Sequence, residues 1–237
     1  MIKIVEIITR SEQGITKPFL CRADDGFQYF VKGHGAGRRA LINEWIAGNI
    51  GRRLELPIPD FEMAEIPAEL IRFSARDDVR DLGAGIGFAS RRVENADELS
   101  YLFIEQIPPE LRAKILLFDW WVCNGDRTLT PDGGNPNLLW MHRDHKLFVI
   151  DQNVAFDEDE LVNFWGGHIF HADQAQWNQP FQQEMTKVMR AALAELKNWW
   201  QEMPAAWTEI ECGLTLEQLQ TLLWRFEQNA NIFWRSQ

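Results

Sequence analysis

Cysteine is scarce in this chain, and basic residues are outnumbered by acidic ones. The cysteines are Cys21, Cys123 and Cys212, widely separated and odd in number. They offer neither the paired spacing of a zinc site nor a disulfide framework, so reduced thiols are expected. The 24 Lys and Arg against 35 Asp and Glu leave a formal net charge of −11. Nucleic-acid binding rests on clustered cations that neutralise phosphates, so direct binding of DNA or RNA is not expected. Docking on an anionic membrane surface is disfavoured for the same reason. The chain lacks any run of about 18 apolar residues, the least that a membrane-crossing helix needs. The opening Met-Ile-Lys-Ile-Val-Glu is broken by acid and base, unlike a secretion leader. A cytoplasmic protein is the expectation. A Walker sequence is missing too, because Gly33-His34-Gly35-Ala36-Gly37 is not followed by Gly-Lys-Ser/Thr.

What is present begins with 46% apolar residues over 237 positions, enough for a sizeable core and one or two lobes. The first third reads as strands at 2–8, 18–23 and 27–32, the last two flanking the turn signal Asp24-Asp25-Gly26. A helix follows over roughly 38–54, with Leu41, Trp45, Ile46, Ile50 and Leu54 at three- and four-residue spacing. Residues 60–66 and 86–93 read as further strands, and the charged stretch 74–85 between them as a surface loop. Asn95 and Glu98 have the spacing of an N-cap and its N3 partner, which predicts a short helix. Pro109 opens a longer helix through about Cys123, followed by a polar loop over 124–137 and short strands at 137–141 and 146–151. The last eighty residues read as helices, clearest at 180–202 and 215–234. The expected fold is α+β and two-lobed: a β-rich N-lobe with one helix over 1–93, and a mainly helical C-lobe over 94–237.

Four features carry chemistry by their order. Lys32 closes the third strand, and Glu44 sits in the helix after it. Asp126-Arg127 opens a loop that ends in Asn135 and Asn137, and the apolar strand Phe148-Val149-Ile150 ends in Asp151. Singly, each has an ordinary explanation: a solvated edge lysine, a surface glutamate, a loop ion pair, a turn, a helix cap. Together they suit phosphoryl transfer, which needs a cation on the phosphates, a carboxylate to orient it, an acid–base group at the attacking hydroxyl, and oxygen ligands for Mg²⁺. His168 and His171 have a spacing compatible with a metal pair, but no third ligand accompanies them.

The segments 118–139 (FDWWVCNGDRTLTPDGGNPNLL) and 147–156 (LFVIDQNVAF) resemble the catalytic segment of HipA-like kinases, relatives of the protein kinases and phosphoinositide kinases. The resemblance extends over roughly residues 5–160 and implies a protein-kinase-like fold and an ATP- and Mg²⁺-dependent kinase, with a protein serine or threonine as the expected acceptor. It implies Asp126 as the catalytic-loop aspartate, with Arg127 beside it, and Asn135 as a metal ligand with Asn137 the alternative. Asp151 becomes the second metal ligand, and Lys32 and Glu44 the ion-paired lysine and helix glutamate. The loop 11–17, with Gly14, Ile15 and Thr16, would cover the phosphates. The strand through Ala89, Ser90 and Arg91 would lead into the hinge that meets adenine. This chain differs from the family pattern in carrying Thr128 after Asp-Arg where His is usual, and in an Asp-to-Asn spacing of nine rather than five. Gln152-Asn153 follows Asp151 in place of Phe-Gly. The resemblance also admits a lipid or small-molecule alcohol as acceptor, a pseudokinase that acts by contact, and a cognate antitoxin as partner.

Overall fold

The computed structural model describes residues 1–11, 17–208 and 213–234. Five strands, β1 (Ile2–Arg10), β2 (Phe19–Ala23), β3 (Gln28–Lys32), β4 (Phe61–Ile66) and β5 (Gly85–Arg91), close a barrel in the order β1-β2-β3-β5-β4. All neighbours are antiparallel except β1 and β4, which meet in parallel at Ile2↔Ala64 and Lys3↔Glu65. Strand alternation decides what fills the barrel. Ile4, Phe19, Cys21, Ala23, Tyr29, Val31, Ala64 and Ala89 form one apolar cluster. Lys32 has the opposite parity and pairs with Phe88, so it lies on the outer face with that ring.

The outer face is covered by α1 (Arg38–Arg53). A Cβ on Gly48 would come within 2.8 Å of the Phe61 ring, which shows how closely the helix lies on the sheet. Glu44, one turn earlier, is thereby brought over Lys32. The glycines after β3 have a packing role of their own. A Cβ on Gly33 would fall 2.0 Å from the Leu82 carbonyl oxygen, and one on Gly35 2.4 Å from that of Asp81. The stretch expected as a surface loop at 74–85 therefore includes a short helix, α3 (Val79–Leu82), with Val79 and Leu82 buried; it follows another, α2 (Ala68–Arg72).

The helix expected at Asn95 does not form. Asn95 turns with φ 56°, and Asp97–Glu98 (β6) pairs with β9 (Leu138–Met141), which continues into β10 (Lys146–Val149). Leu99 is buried and donates its N–H to Leu138 O at 2.8 Å, so a long-range strand pairing wins over the local capping pattern. Helix α4 (Pro109–Val122) starts on proline, which suits the first helical turn, and Cys123 ends it in the left-handed conformation at φ 56°. Its run Ile115-Leu116-Leu117-Phe118 is wholly buried. The following loop holds a small hairpin, β7 (Thr128–Thr130) with β8 (Gly133–Asn135).

The chain ends in helices α5 (Phe164–Gly167), α6 (Gln179–Glu202), α7 (Ala205–Thr208), α8 (Leu216–Leu223), α9 (Arg225–Gln228) and α10 (Ala230–Phe233). The single helix expected over 215–234 is thus three. A capping box between Thr215 and Gln218 starts the first, and breaks at Trp224 and Asn229 let Phe226 and Phe233 both turn inward. Helices α6 and α7 pack on α1. Trp45 donates its indole N–H to Trp199 O at 3.1 Å, and Trp207 donates to Ile86 O at 3.0 Å.

Candidate active site

Lys32 is the meeting point of three elements. Its Nζ donates to Glu44 Oε1 on α1 and, at 2.7 Å, to Asp151 Oδ1 just past β10. Lys32 and Glu44 are buried, and Gln152 N–H donates to Glu44 Oε2 at 3.3 Å. Burial works against the charged lysine, but the Glu44 and Asp151 carboxylates outweigh it and hold the ammonium charged well above its usual range. Burial pushes the Glu44 carboxyl up, and the Asp151 charge adds to this against the pull of Lys32. Burial also opposes charge on Asp151, yet Lys32 keeps its carboxyl below the usual range. Asp151 has φ 56°, an uncommon backbone state for a residue with a Cβ and one found often at functional positions.

Asp126 lies in the loop after α4. Its Oδ2 accepts from Asn137 Nδ2 at 2.9 Å and from Asn135 Nδ2 at 3.2 Å, while its Oδ1 is buried with no partner. Burial pushes the Asp126 carboxyl up to about 6; Arg127 opposes this, and the charges of Asp151 and Asp119 add to it. The two asparagines differ in setting. Asn135 is exposed on β8, whereas Asn137 is buried just before β9, its carbonyl taking Arg127 Nη1 at 2.6 Å and Ile150 N at 3.0 Å. With each amide nitrogen turned to Asp126, the amide oxygens face away from it.

Arg127 occupies a different place from the one its neighbour suggests. It is 0% exposed and bonds Asp119 in a fork, Nε to Oδ2 at 2.6 Å and Nη2 to Oδ1 at 3.2 Å. Nη1 reaches the carbonyls of Pro136, Asn137 and Ile150. A guanidinium so enclosed positions the loop and the strand end rather than touching a substrate.

Ala89, Ser90 and Arg91 lie in the strand between β3 and β4, their backbone groups engaged on both sides. Arg91 N–H goes to Asp60 O and Arg92 N–H to Gln28 O, so backbone available to a ligand begins past Arg92. Gly14, Ile15 and Thr16 lie outside the described residues. A narrow cleft beside Lys32 is lined also by Arg10, Lys17, Phe19 and Asp81, with Arg10 paired to Asp81 at 2.7 Å. His168 and His171 do not pair around a metal: His168 Nε2 faces Asp119 Oδ2 at 3.0 Å, and His171 Nδ1 faces the His168 carbonyl at 2.9 Å. What sequence reasoning missed is the pairing of Asp119 with His168, a histidine it had read only as half of a possible metal pair. The signal for Asp119 was available, since a lone carboxylate within Ile115-Leu116-Leu117-Phe118-Asp119-Trp120-Trp121 requires a buried partner.

The chain belongs to the HipA-like kinase family, whose model matches residues 4–237. It is a kinase. Among solved structures it is similar to the crystal structure of the Helicobacter pylori proinflammatory kinase CtkA, with a TM-score of 0.55 over 96% of this chain and 94% of that one. Identity between the two is 13%, so the likeness is one of fold. No curated protein matches the chain.

Proposed function

We propose that this kinase transfers the γ-phosphoryl group of ATP to a serine or threonine hydroxyl of a protein, in a two-lobed arrangement. Residues 1–93 bind the nucleotide, and residues 94–237 carry the catalytic loop and the metal-binding aspartate. The observation that carries the reading is Asp126: a carboxylate with one oxygen held by two amides, and the other buried and unpartnered. This carboxylate is the acceptor for the proton of an attacking hydroxyl. Lys32 supplies the cation for the phosphates, and Glu44 holds it in place. Lys17 lines the same cleft, as does Arg10, which is paired with Asp81. Adenine meets the backbone beyond Arg92.

The oxygen donors here fit Mg²⁺. Asp151 and the Asn137 amide oxygen, with Asn135 beside it, are hard donors. Mg²⁺ uses one or two protein oxygens and completes its shell with phosphate and water. When bound, Mg²⁺ neutralises charge on the phosphates. ATP will stabilise the protein in thermal-shift measurements far better with Mg²⁺ than with EDTA, and Asp151→Asn will abolish that difference. Equal stabilisation of the wild type with and without Mg²⁺ rules the assignment out.

Lys32→Ala will weaken ATP binding by about 1.5–3 kcal/mol, the scale of a charge-assisted contact. Glu44→Gln will act in the same direction, because it loosens the placement of Lys32. Calorimetric titration with ATP–Mg²⁺ decides this, and wild-type affinity in both variants would show that the pair serves packing alone.

A further inference from the structure

The Asp126 loop is latched from a part of the chain forty residues downstream, around His168. The latch is dry: His168 is 1% exposed, and Asp119 and Arg127 are 0% exposed. His168 Nδ1 accepts the Phe170 backbone N–H at 3.1 Å, which leaves the ring proton on Nε2 to be donated to Asp119 Oδ2 at 3.0 Å. Burial holds the imidazole below its usual range, so it is neutral and in that one tautomer. Asp119 then has donors on both oxygens: Arg127 and His168 on Oδ2, Arg127 and Asn124 Nδ2 on Oδ1. The backbone repeats the connection. Thr128 bridges His168, and Ile169 N–H donates to Arg127 O at 3.1 Å.

From Arg127 the contacts run to both halves of the site. Asp126 is its chain neighbour, and its Nη1 holds the carbonyls of Asn137 and Ile150, the residues that carry the Asp126-bound amide and precede Asp151. A shift of Arg127 therefore moves the acid–base carboxylate and the Asp151 strand end together.

We propose that His168 is a positioning residue for phosphoryl transfer: through Asp119 and Arg127 it fixes the Asp126 loop against the end of β10. The inference rests on the kinase reading above, and it assigns a role to a side chain that contacts neither nucleotide nor acceptor. His168 acts by supplying one N–H at one place, so a donor that reaches the same place restores the function. A glutamine amide nitrogen overlays the Nε2 position; phenylalanine fills the space between Phe164 and Phe170 without a donor.

The test compares wild type, His168→Phe, His168→Gln and His168→Asn in steady-state phosphate transfer, with Arg127 Nε–H exchange followed by NMR on arginine-labelled protein. His168→Phe is expected to lower kcat by at least ~10-fold, towards the ~100-fold that a displacement of about 1 Å costs, with KM for ATP within about threefold. His168→Gln recovers kcat to within about fivefold of wild type, and His168→Asn, too short to reach Asp119, does not. Arg127 Nε–H exchange is slow in wild type and His168→Gln and fast in His168→Phe. Should His168→Phe fail to fold, the Gln and Asn pair carries the comparison. Wild-type kcat in His168→Phe, equal loss in His168→Gln and His168→Asn, or a loss confined to KM for ATP overturns the proposal. If the wild type transfers phosphate to no acceptor, the kinase reading is what has failed. The exchange arm then decides the latch by itself, and unchanged exchange in His168→Phe removes it.

Discussion

Asp126→Asn will cut turnover by about 10²–10⁴, the scale of a positioned acid–base group, and leave affinity for ATP–Mg²⁺ within severalfold. Asparagine keeps an oxygen for the amides of Asn135 and Asn137 and cannot take a proton. With the Asp126 carboxyl pushed up to about 6, wild-type turnover will climb about tenfold per pH unit below that value and level off above it. Stability runs the other way. The unfolded carboxyl titrates near 3.9, so the folded protein holds the proton more tightly, and stability present below about 3.9 is lost as pH rises to about 6. Removing the buried charge will therefore raise the stability of metal-free protein at pH 8 by about 1–3 kcal/mol. Pre-steady-state transfer assays and urea titrations in EDTA measure the two arms. Turnover that survives the change places the acid–base group elsewhere. A wild type that binds ATP–Mg²⁺ and transfers to no protein, lipid or small alcohol is a nucleotide-gated interaction module.

Arg127→Met will destabilise the fold by about 3–5 kcal/mol, the usual cost of leaving a buried charge without its partner. Asp119 is wholly enclosed. Burial alone would raise its carboxyl, and Arg127 with His168 keeps it ionised below the usual range. The carbonyls of Pro136, Asn137 and Ile150 lose a donor in the same step. Adding Asp119→Leu will recover part of the loss, because a neutral site has no charge to solvate. Urea unfolding of the single and double variants makes the comparison, and a single variant within about 1 kcal/mol of wild type would show that water replaces the guanidinium.

The order of Lys32, Glu44, Asp126 and Asp151 was legible because Lys32, Asp126 and Asp151 end or follow elements with a plain apolar pattern and Glu44 sits within one, so strand parity and helix spacing indicate their faces. Lys32 is an instance: the alternation Tyr29, Val31 puts it opposite the barrel interior, on the side that α1 covers. Asn135 and Asn137 read alike in Asn-Pro-Asn, and their different settings were not legible: the β7–β8 hairpin exposes the first and the second is buried. Arg127 was misleading because it follows Asp126 in the pattern, and only its pairing with Asp119, eight residues earlier, shows that it faces inward. Asn95 failed for a related reason. A capping pattern is local, while β6 forms by pairing with residues some forty positions away.

The two indole hydrogen bonds that tie Trp45 to Trp199 and Trp207 to Ile86 bear on how such an enzyme is governed. A kinase whose glutamate-bearing helix swings can be idled by breaking its lysine contact. Here that helix is bracketed by α6 and α7, and rotating it outward would forfeit a Trp45 bond and open the Phe61–Trp45 contact to water. The Lys32–Glu44 contact is assembled in this structure, and turning α1 outward to open it would cost the Trp45 bond to α6.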